Sequence, residues 1–329
     1  MEFLKDKTIL ITGGTGSFGK SFTRFLLENS LAQKIIIFSR DEYKQFHMAQ
    51  ELRQFEDRLR FFIGDVRDLG RLERAFQKVD IVVHAAALKQ VPAIEYNPQE
   101  AIKTNVIGSQ NIVEAALNQN IEKVLLISTD KAAQPVNLYG ATKLCAEKLF
   151  INSNSYSPSQ KTKFSAVRYG NVIGSRGSVV EKFLNKKVDK VEITHPDMTR
   201  FWITLRQSFN LVLFALKNME GGEIFVPKIP SMKISDLFKI IAPAAKQEVT
   251  GIRPGEKLHE TLLTEEESKH GYETEKYYVV IPESGLAQSP VFSKYETIGS
   301  KLNPSFRFAS NTNTEWLTNE KLQEIIQKI

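Results

Sequence analysis

The chain has 329 residues, 42% hydrophobic and 25% charged, the balance of a globular protein long enough for a large core. Its net charge of +6 is interspersed with acids, which suits a small anionic substrate and argues against nucleic acid as a partner. No apolar run approaches the ~18 residues of a membrane helix, the opening Met1–Asp6 is too short and acidic for a signal peptide, and the single Cys145 cannot close an internal disulfide, so a reducing, cytoplasmic setting is expected.

Thr8-Ile9-Leu10-Ile11 reads as a short strand running into Thr12-Gly13-Gly14-Thr15-Gly16-Ser17-Phe18-Gly19. Lys20 follows, in a helix with Phe22, Phe25 and Leu26 on one stripe. Strand, glycine turn and helix are the dinucleotide-binding arrangement, in which glycines let backbone amides approach a pyrophosphate at the helix start. Ile35–Phe38 is the second strand. Ser39, Arg40 and Lys44 stand where an acid would meet an unphosphorylated ribose, and they suit the 2′-phosphate of NADP. Asp41 competes for NAD, and the pattern favours NADP.

Leu59–Ile63 is the third strand, ending in Gly64-Asp65-Val66. Asp65 is either an acceptor for the adenine amino group or a helix N-cap. Ile81–His84 is the fourth, with His84 read as a core residue and Ala85, Ala86 and Ala87 as room for a cofactor against the backbone. Lys89 is within reach of phosphate or substrate, or is a surface lysine. Asn97 to Asn118 reads as one long helix, and Val124–Ile127 as a buried parallel strand.

Ser128-Thr129-Asp130-Lys131 follows at that strand's carboxyl end, where open α/β sheets bind ligands. Pro135 delays the next helix to about Leu138. Tyr139 and Lys143 then share a helix face, and an ammonium beside the phenol favours phenolate. A base, an acid and a cation converge on one crevice. Each residue taken alone has a plainer reading: Tyr-x-x-x-Lys is common on helices, Lys131 suits a solvated loop, and Cys145 suits a packed site.

Phe164–Tyr169 is a sixth strand, Arg206–Met219 a helix, and Glu223–Val226 the last strand of the sheet. The fold class is α/β, a Rossmann-type doubly wound parallel sheet with a smaller, mixed C-terminal substrate-binding lobe. Residues 1–170, completed by about 201–228, form the NADP-binding part; 171–200 and 229–329 form the substrate lobe. Beyond the sixth strand come the polar loop Asn171–Gly177, Arg200 and the run Gly251–Lys257; the arginines on these loops are candidates for diphosphate contacts, or are simply solvated.

Thr12-Gly13-x-x-Gly16-x-x-Gly19 with Tyr139-x-x-x-Lys143 resembles the extended short-chain dehydrogenase/reductase superfamily. Ser128–Lys131, Arg168-Tyr169-Gly170-Asn171-Val172 and Arg253-Pro254-Gly255-Glu256-Lys257 narrow the resemblance to inverting UDP-N-acetylglucosamine 4,6-dehydratases of pseudaminic acid biosynthesis, the flagellin-modifying pathway, and related capsule-pathway dehydratases share the Asp130-Lys131 pair. Retaining 4,6-dehydratases carry Asp-Glu at the position of Asp130-Lys131, and 4-epimerases lack the pair. The resemblance implies a bound NADP, UDP-N-acetylglucosamine as substrate, a homo-oligomer (dimer or hexamer) and no metal. It makes Tyr139 and Lys143 the oxidation pair, Lys131 the C5 base, Asp130 the acid for the C6 hydroxyl, and Thr129 an orienting group. Lys131 is expected to have a depressed pKa, through Lys143 and the oxidised nicotinamide. Lys89, Asn171, Arg200, Arg253 and Glu256 are implied to hold the nucleotide-sugar. The product implied is UDP-2-acetamido-2,6-dideoxy-beta-L-arabino-hex-4-ulose. The rivals are a 4-epimerase or dehydrogenase on the same fold and a non-catalytic NADP-binding regulator.

Overall fold

The computed structural model describes residues 2–156, 161–175, 178–183, 188–282 and 290–327; Arg176 and Gly177 of the polar loop lie outside them. Its first half alternates strand and helix: β1 (Thr8–Thr12), α1 (Ser17–Glu28), β2 (Lys34–Ser39), α2 (Glu42–Glu51), β3 (Leu59–Ile63), α3 (Leu69–Ala75) and β4 (Ile81–His84). Then come α4 (Val91–Tyr96), α5 (Pro98–Ala101), α6 (Gly108–Asn118), β5 (Lys123–Ile127), α7 (Leu138–Asn152) and β6 (Lys163–Val167). The apolar runs of β1, β2, β4, β5 and β6 are buried along nearly their whole length, because helices cover both sheet faces.

The helix expected from Asn97 to Asn118 is not uniform. A π-helical stretch, Ile102–Ile107, separates α5 from α6. Buried Asn105 explains it: its side chain accepts from Leu88 N at 2.8 Å and donates to Leu88 O at 2.9 Å and Thr142 Oγ1 at 3.1 Å. Those bonds satisfy the chain after β4 from within a helix, at the expense of regular α-helical winding.

The second half runs β7 (Asn171–Val172), α8 (Val179–Phe183), β8 (Lys190–Ile193), β9 (Thr199–Ile203), α9 (Leu205–Asn218) and β10 (Ile224–Pro227). It continues through β11 (Ser231–Lys233), α10 (Ile234–Ile241), β12 (Lys246–Val249), β13 (Thr261–Leu263), α11 (Glu265–Ser268), β14 (Gly271–Glu273) and β15 (Tyr277–Val280). The last elements are α12 (Pro290–Ile298), β16 (Ser300–Lys301), β17 (Phe308–Ala309) and α13 (Asn319–Ile326).

Among the described residues the main sheet has the order β16-β14-β15-β10-β6-β5-β4-β1-β2-β3. From β3 to β10 neighbouring strands are parallel; β15, β14 and β16 add antiparallel to the far edge. The strand expected to close the sheet at Glu223–Val226 is therefore β10, and three short strands extend beyond it. They were hidden because each is two to four residues long, too short for a periodicity to register. Chain order reverses between β1 and β4, and the crevice at their carboxyl ends is where such sheets bind ligands.

Two hydrophobic clusters result. The larger spans the Rossmann core and includes Leu262, Tyr278, Tyr295 and Phe308 from the C-terminal third. The smaller joins Ile173, Val191, Trp202, Leu237, Phe238 and Leu322. Strand β9 serves both through its alternation: Phe201 and Ile203 enter the first core, Trp202 the second.

Arg168, just past β6, is fully buried. Its guanidinium forks onto Glu147 of α7 at 2.6 and 3.1 Å and Glu267 of α11 at 2.8 and 3.0 Å, and reaches Leu262 O at 2.9 Å. Breaking a buried pair leaves an uncompensated charge. Glu147→Gln is therefore expected to lower stability by about 3 kcal/mol or more, read as a fall in the urea midpoint; an unchanged midpoint would show this pair to be dispensable.

Candidate active site

The cleft begins at the glycine turn. Gly13 has φ +64°, and a Cβ there would come within 2.9 Å of the Ala86 backbone. A Cβ on Gly19 would lie 2.5 Å from Gly14 Cα, so the first turn of α1 rests directly on the loop. Gly16 caps α1 without any side-chain hydrogen bond. A helix N-terminus opening onto a glycine-lined cradle matches what a dinucleotide pyrophosphate requires. Gly13, Gly16, Ser17, Phe18 and Gly19 all line the cleft, which encloses about 1020 Å³. Lys20 does not line it and pairs with Glu51 at 2.7 Å.

At the end of β2, Ser39 Oγ accepts from Thr15 Oγ1 and from Gln45 Nε2, both at 3.1 Å. Asp41 caps α2, accepting from Lys44 N at 2.9 Å, and also pairs with the Lys44 ammonium. Arg40 is half-exposed, with Asp65 3.6 Å away. Asp65 accepts from Arg67 N at 3.0 Å and from the Arg67 guanidinium at 2.7 Å. Burial raises its pKa, but the bonds from Arg67 prevail and hold it below the ordinary carboxylate range. The N-cap of α3 is Asp68, not Asp65. Val66, Ala85, Ala86 and Ala87 complete this wall. His84 is a core residue, bound to Thr12 Oγ1 at 2.7 Å and Ser109 Oγ at 3.2 Å, and burial pushes its pKa down to about 3.

After β5 the chain makes a single 3-10 turn, Asp130–Ala132, with Thr129 Oγ1 accepting from Lys131 N. Asn137 caps α7 through Gly140 N at 2.8 Å. A Cβ on Gly140 would sit 2.2 Å from Lys131 O, so only glycine lets the helix that carries Tyr139 press against this turn. Thr129, Lys131, Tyr139 and Lys143 line the cleft, while Asp130 is completely buried behind them.

Asp130 Oδ1 accepts from Lys131 Nζ and from Thr129 Oγ1, both at 3.0 Å; among the described residues Oδ2 has no hydrogen-bond partner. Burial raises the Asp130 pKa and Glu260 adds to the rise, against the opposing Lys131 charge. Lys131 departs from expectation. Burial disfavours its charge, yet Asp130 and Glu260 outweigh that and hold its pKa above the ordinary lysine value. It rests as an ammonium between two carboxylates, not as a depressed amine. Lys143 donates to Ile127 O at 2.8 Å. Burial raises the Tyr139 pKa, and the cation acting against that rise is Lys131, where Lys143 was expected.

Of the residues implied to hold substrate, Lys89 and Asn171 line the cleft. Arg200 is buried outside the lining, its guanidinium donating to the carbonyls of Thr199, Lys257 and Leu258 at 2.8, 2.9 and 3.2 Å, with Glu256 at 3.5 Å. Arg253 is exposed, and its backbone N lies 3.4 Å from the Glu256 carboxylate. Sequence reasoning missed Glu260, Lys257 and Gly140, and also Trp202, which lines the cleft. Glu260 and Lys257 lie in or beside the Arg253–Lys257 motif, but nothing local ties them to Lys131. The Tyr139-Gly140 pair was the one available sign of close packing.

The family described as "Polysaccharide biosynthesis protein" matches residues 9–282. A relative from Campylobacter jejuni, the UDP-N-acetylglucosamine 4,6-dehydratase (inverting), is 48% identical over 97% of each chain. The UDP-glucose 4-epimerase of Rickettsia rickettsii is 41% identical over 98% of this chain and 95% of its own. Among solved structures, Pen from Bacillus thuringiensis superposes with a TM-score of 0.89 at 36% identity, covering 99% of this chain and 98% of its own.

Burial lowers the Lys143 pKa to about 8 from 10.5, with Glu147 pulling the other way. Between those two pH values the unfolded chain binds a proton that the folded chain does not, so this group makes stability rise with pH across the window. Lys143→Met should remove that rise, at most about 1.4 kcal/mol per pH unit, as thermal melts of parent and variant between pH 8 and 10 will show.

Proposed function

The chain belongs to the polysaccharide biosynthesis protein family, and we propose that within it the protein is an inverting UDP-N-acetylglucosamine 4,6-dehydratase, a hydro-lyase. The observation that carries this reading is the Asp130–Lys131 pair, 3.0 Å apart, with Lys131 beside Tyr139 on the cleft wall and Asp130 buried directly behind it. An epimerase needs an alcohol oxidised and reduced; it does not need a second acid and base. The name of the Rickettsia relatives favours 4-epimerisation as the second reading, and product mass separates the two.

The glycine cradle accepts a nicotinamide dinucleotide, and NADP is the form proposed. Asp41 is engaged by the α2 cap and Lys44, which leaves the half-exposed Arg40 guanidinium as the group facing a 2′-substituent. Held by Gly13, Gly16, Ser17, Phe18 and Gly19, such a cofactor would supply reversible hydride acceptance, leaving loss of water as the net change. We assign the cofactor to residues 1–170 with 201–228, and the sugar nucleotide to the cleft wall drawn from 171–200 and 229–329. Lys89 and Asn171 are its proposed contacts; Arg200, Arg253 and Glu256 do not line the cleft.

Tyr139 takes the C4 hydroxyl proton, with Thr129 orienting that oxygen. The resulting C4 ketone acidifies C5–H. Neutral Lys131 removes that proton, and protonated Asp130 gives one to the C6 hydroxyl as it leaves. One proton shift meets both requirements: the Lys131 N–H bond breaks and an Asp130 O–H bond forms across 3.0 Å, giving amine and acid together with no change in total charge. A proton delivered to C5 from the opposite face inverts that centre. No helix among the described residues is long and apolar enough to cross a membrane, and a cytoplasmic homo-oligomer, dimer or hexamer, supplying pseudaminic acid synthesis is the setting proposed.

Arg40→Ala should weaken NADP binding by about 1.5–3 kcal/mol and leave NAD binding nearly unaltered, as titration calorimetry will measure. Equal affinities in the parent would remove the preference. With UDP-N-acetylglucosamine, the parent should give a product lighter by one water, with no accumulation of reduced cofactor. Lys131→Ala should abolish dehydration and C5 deuterium exchange, with substrate binding retained. Asp130→Asn should stop dehydration and, by removing the acceptor of the Lys131 proton, also slow the exchange. A product of unchanged mass would point to the epimerase, and a Lys131→Ala protein exchanging C5 normally would remove Lys131 from its role.

A further inference from the structure

Glu260 is a carboxylate with no place in the steps above, and it is 2% exposed. Its Oε1 lies 3.3 Å from Lys131 Nζ and 3.9 Å from Arg200 Nε; its Oε2 lies 3.4 Å from Lys257 Nζ. Its backbone is tied at both polar groups, N to Ser310 Oγ at 2.9 Å and O to Ser310 N at 2.8 Å, at the start of β13. The carboxylate is thus held against the catalytic turn by a strand pair from the far end of the chain.

We propose that Glu260 is a positioning residue for the dehydration: it holds the Lys131 ammonium against Asp130, so that the proton shared by the catalytic pair passes along a fixed line. The proposal rests on the dehydratase reading. The Lys131 stem is long and flexible, and its side chain is a quarter exposed. With Asp130 as sole anchor, Nζ is free to turn toward solvent; a second carboxylate confines it. The groups facing Lys131 are Asp130 on its own turn, Glu260, Lys257 and Arg200 from the C-terminal segment and β9, and Tyr139 from α7. Burial opposes the Glu260 charge, and Lys131, Arg200 and Lys257 outweigh that and hold it ionised.

The proposal fixes signs. In the proposed mechanism Asp130 and Lys131 work with one shared proton, so kcat falls on the acid side when a second proton binds and on the alkaline side when the last leaves. A negative charge at Glu260 raises both limits. Removing it in Glu260→Gln should move both limbs of the kcat profile to lower pH, by roughly one to three units for an opposite charge at this range, and reduce kcat about tenfold or more through lost alignment. The KM for the nucleotide-sugar should stay within about twofold, since uniform binding is untouched. Glu260→Asp restores the charge one methylene short and should return the limbs while recovering kcat in part. Lys257→Met removes a neighbouring cation and should move the limbs the opposite way.

The experiment is the pH dependence of kcat and of C5 deuterium exchange with UDP-N-acetylglucosamine, for the parent and these three variants, with thermal melts alongside. Opposite shifts for Glu260→Gln and Lys257→Met establish the assignment, because general damage to the fold has no sign. If Glu260→Gln does not fold, the Lys257→Met shift decides alone: a shift to higher pH supports the proposal, and none overturns it. Coincident limbs for parent and Glu260→Gln overturn it too, as does a raised KM with kcat intact, which would make Glu260 a substrate-binding group. A parent protein that neither exchanges C5–H nor loses water refutes the dehydratase reading itself, before any variant is made.

Discussion

A fully buried guanidinium ties the two halves of this protein together. Arg168 is cut off from water at the end of β6, and such a charge is tolerated only where its donors are met. Glu147 on the catalytic helix and Glu267 with Leu262 O on the C-terminal segment meet them. One side chain therefore sets the distance between the helix bearing Tyr139 and Lys143 and the segment bearing Glu260. The position of Glu260 beside Lys131 follows from that anchor together with the β13–β17 pairing.

Close backbone approaches do the same work within the Rossmann half. Gly13, Gly19 and Gly140 each stand where a Cβ would meet main-chain atoms at 2.9 Å or less. The first two shape the cradle at the start of α1, and the third presses α7 onto the Asp130–Ala132 turn. As a result Thr129, Lys131, Tyr139 and Lys143 face one cleft with the ends of β1 and β4, at the point where chain order reverses. The fold supplies a glycine cradle at a helix start, and the proposed chemistry falls to the residues placed one turn beyond β5.

The resting site is a closed electrostatic circuit. Burial alone would neutralise both members of the catalytic pair, yet Lys131 keeps its proton because two carboxylates flank it. The ion pair is then one proton transfer away from amine and acid. Oxidation chemistry is common to epimerases and dehydratases; in the proposed mechanism it is this pair that removes the carbon-bound proton and the hydroxyl.

The parallel sheet was legible in the sequence because strands buried on both faces must be continuously apolar, and because a glycine turn between strand and helix has few other uses. Tyr139 and Lys143 were legible for a similar reason: helix periodicity puts them on one face. Local patterns left several features unspecified. The π stretch depends on Asn105 reaching Leu88 and Thr142, and β14, β15 and β16 depend on pairing rather than on period. The charge state of Lys131 was read with the wrong sign, since the expected neighbour was Lys143 and the actual ones include Glu260, distant along the chain. Arg200, a credible phosphate ligand as a residue type, spends its donors on backbone carbonyls. Sequence determines which groups are present and which face of an element they occupy; folding decides which charges become neighbours. In a dry site the neighbours set protonation, because Coulomb interactions grow as water is excluded.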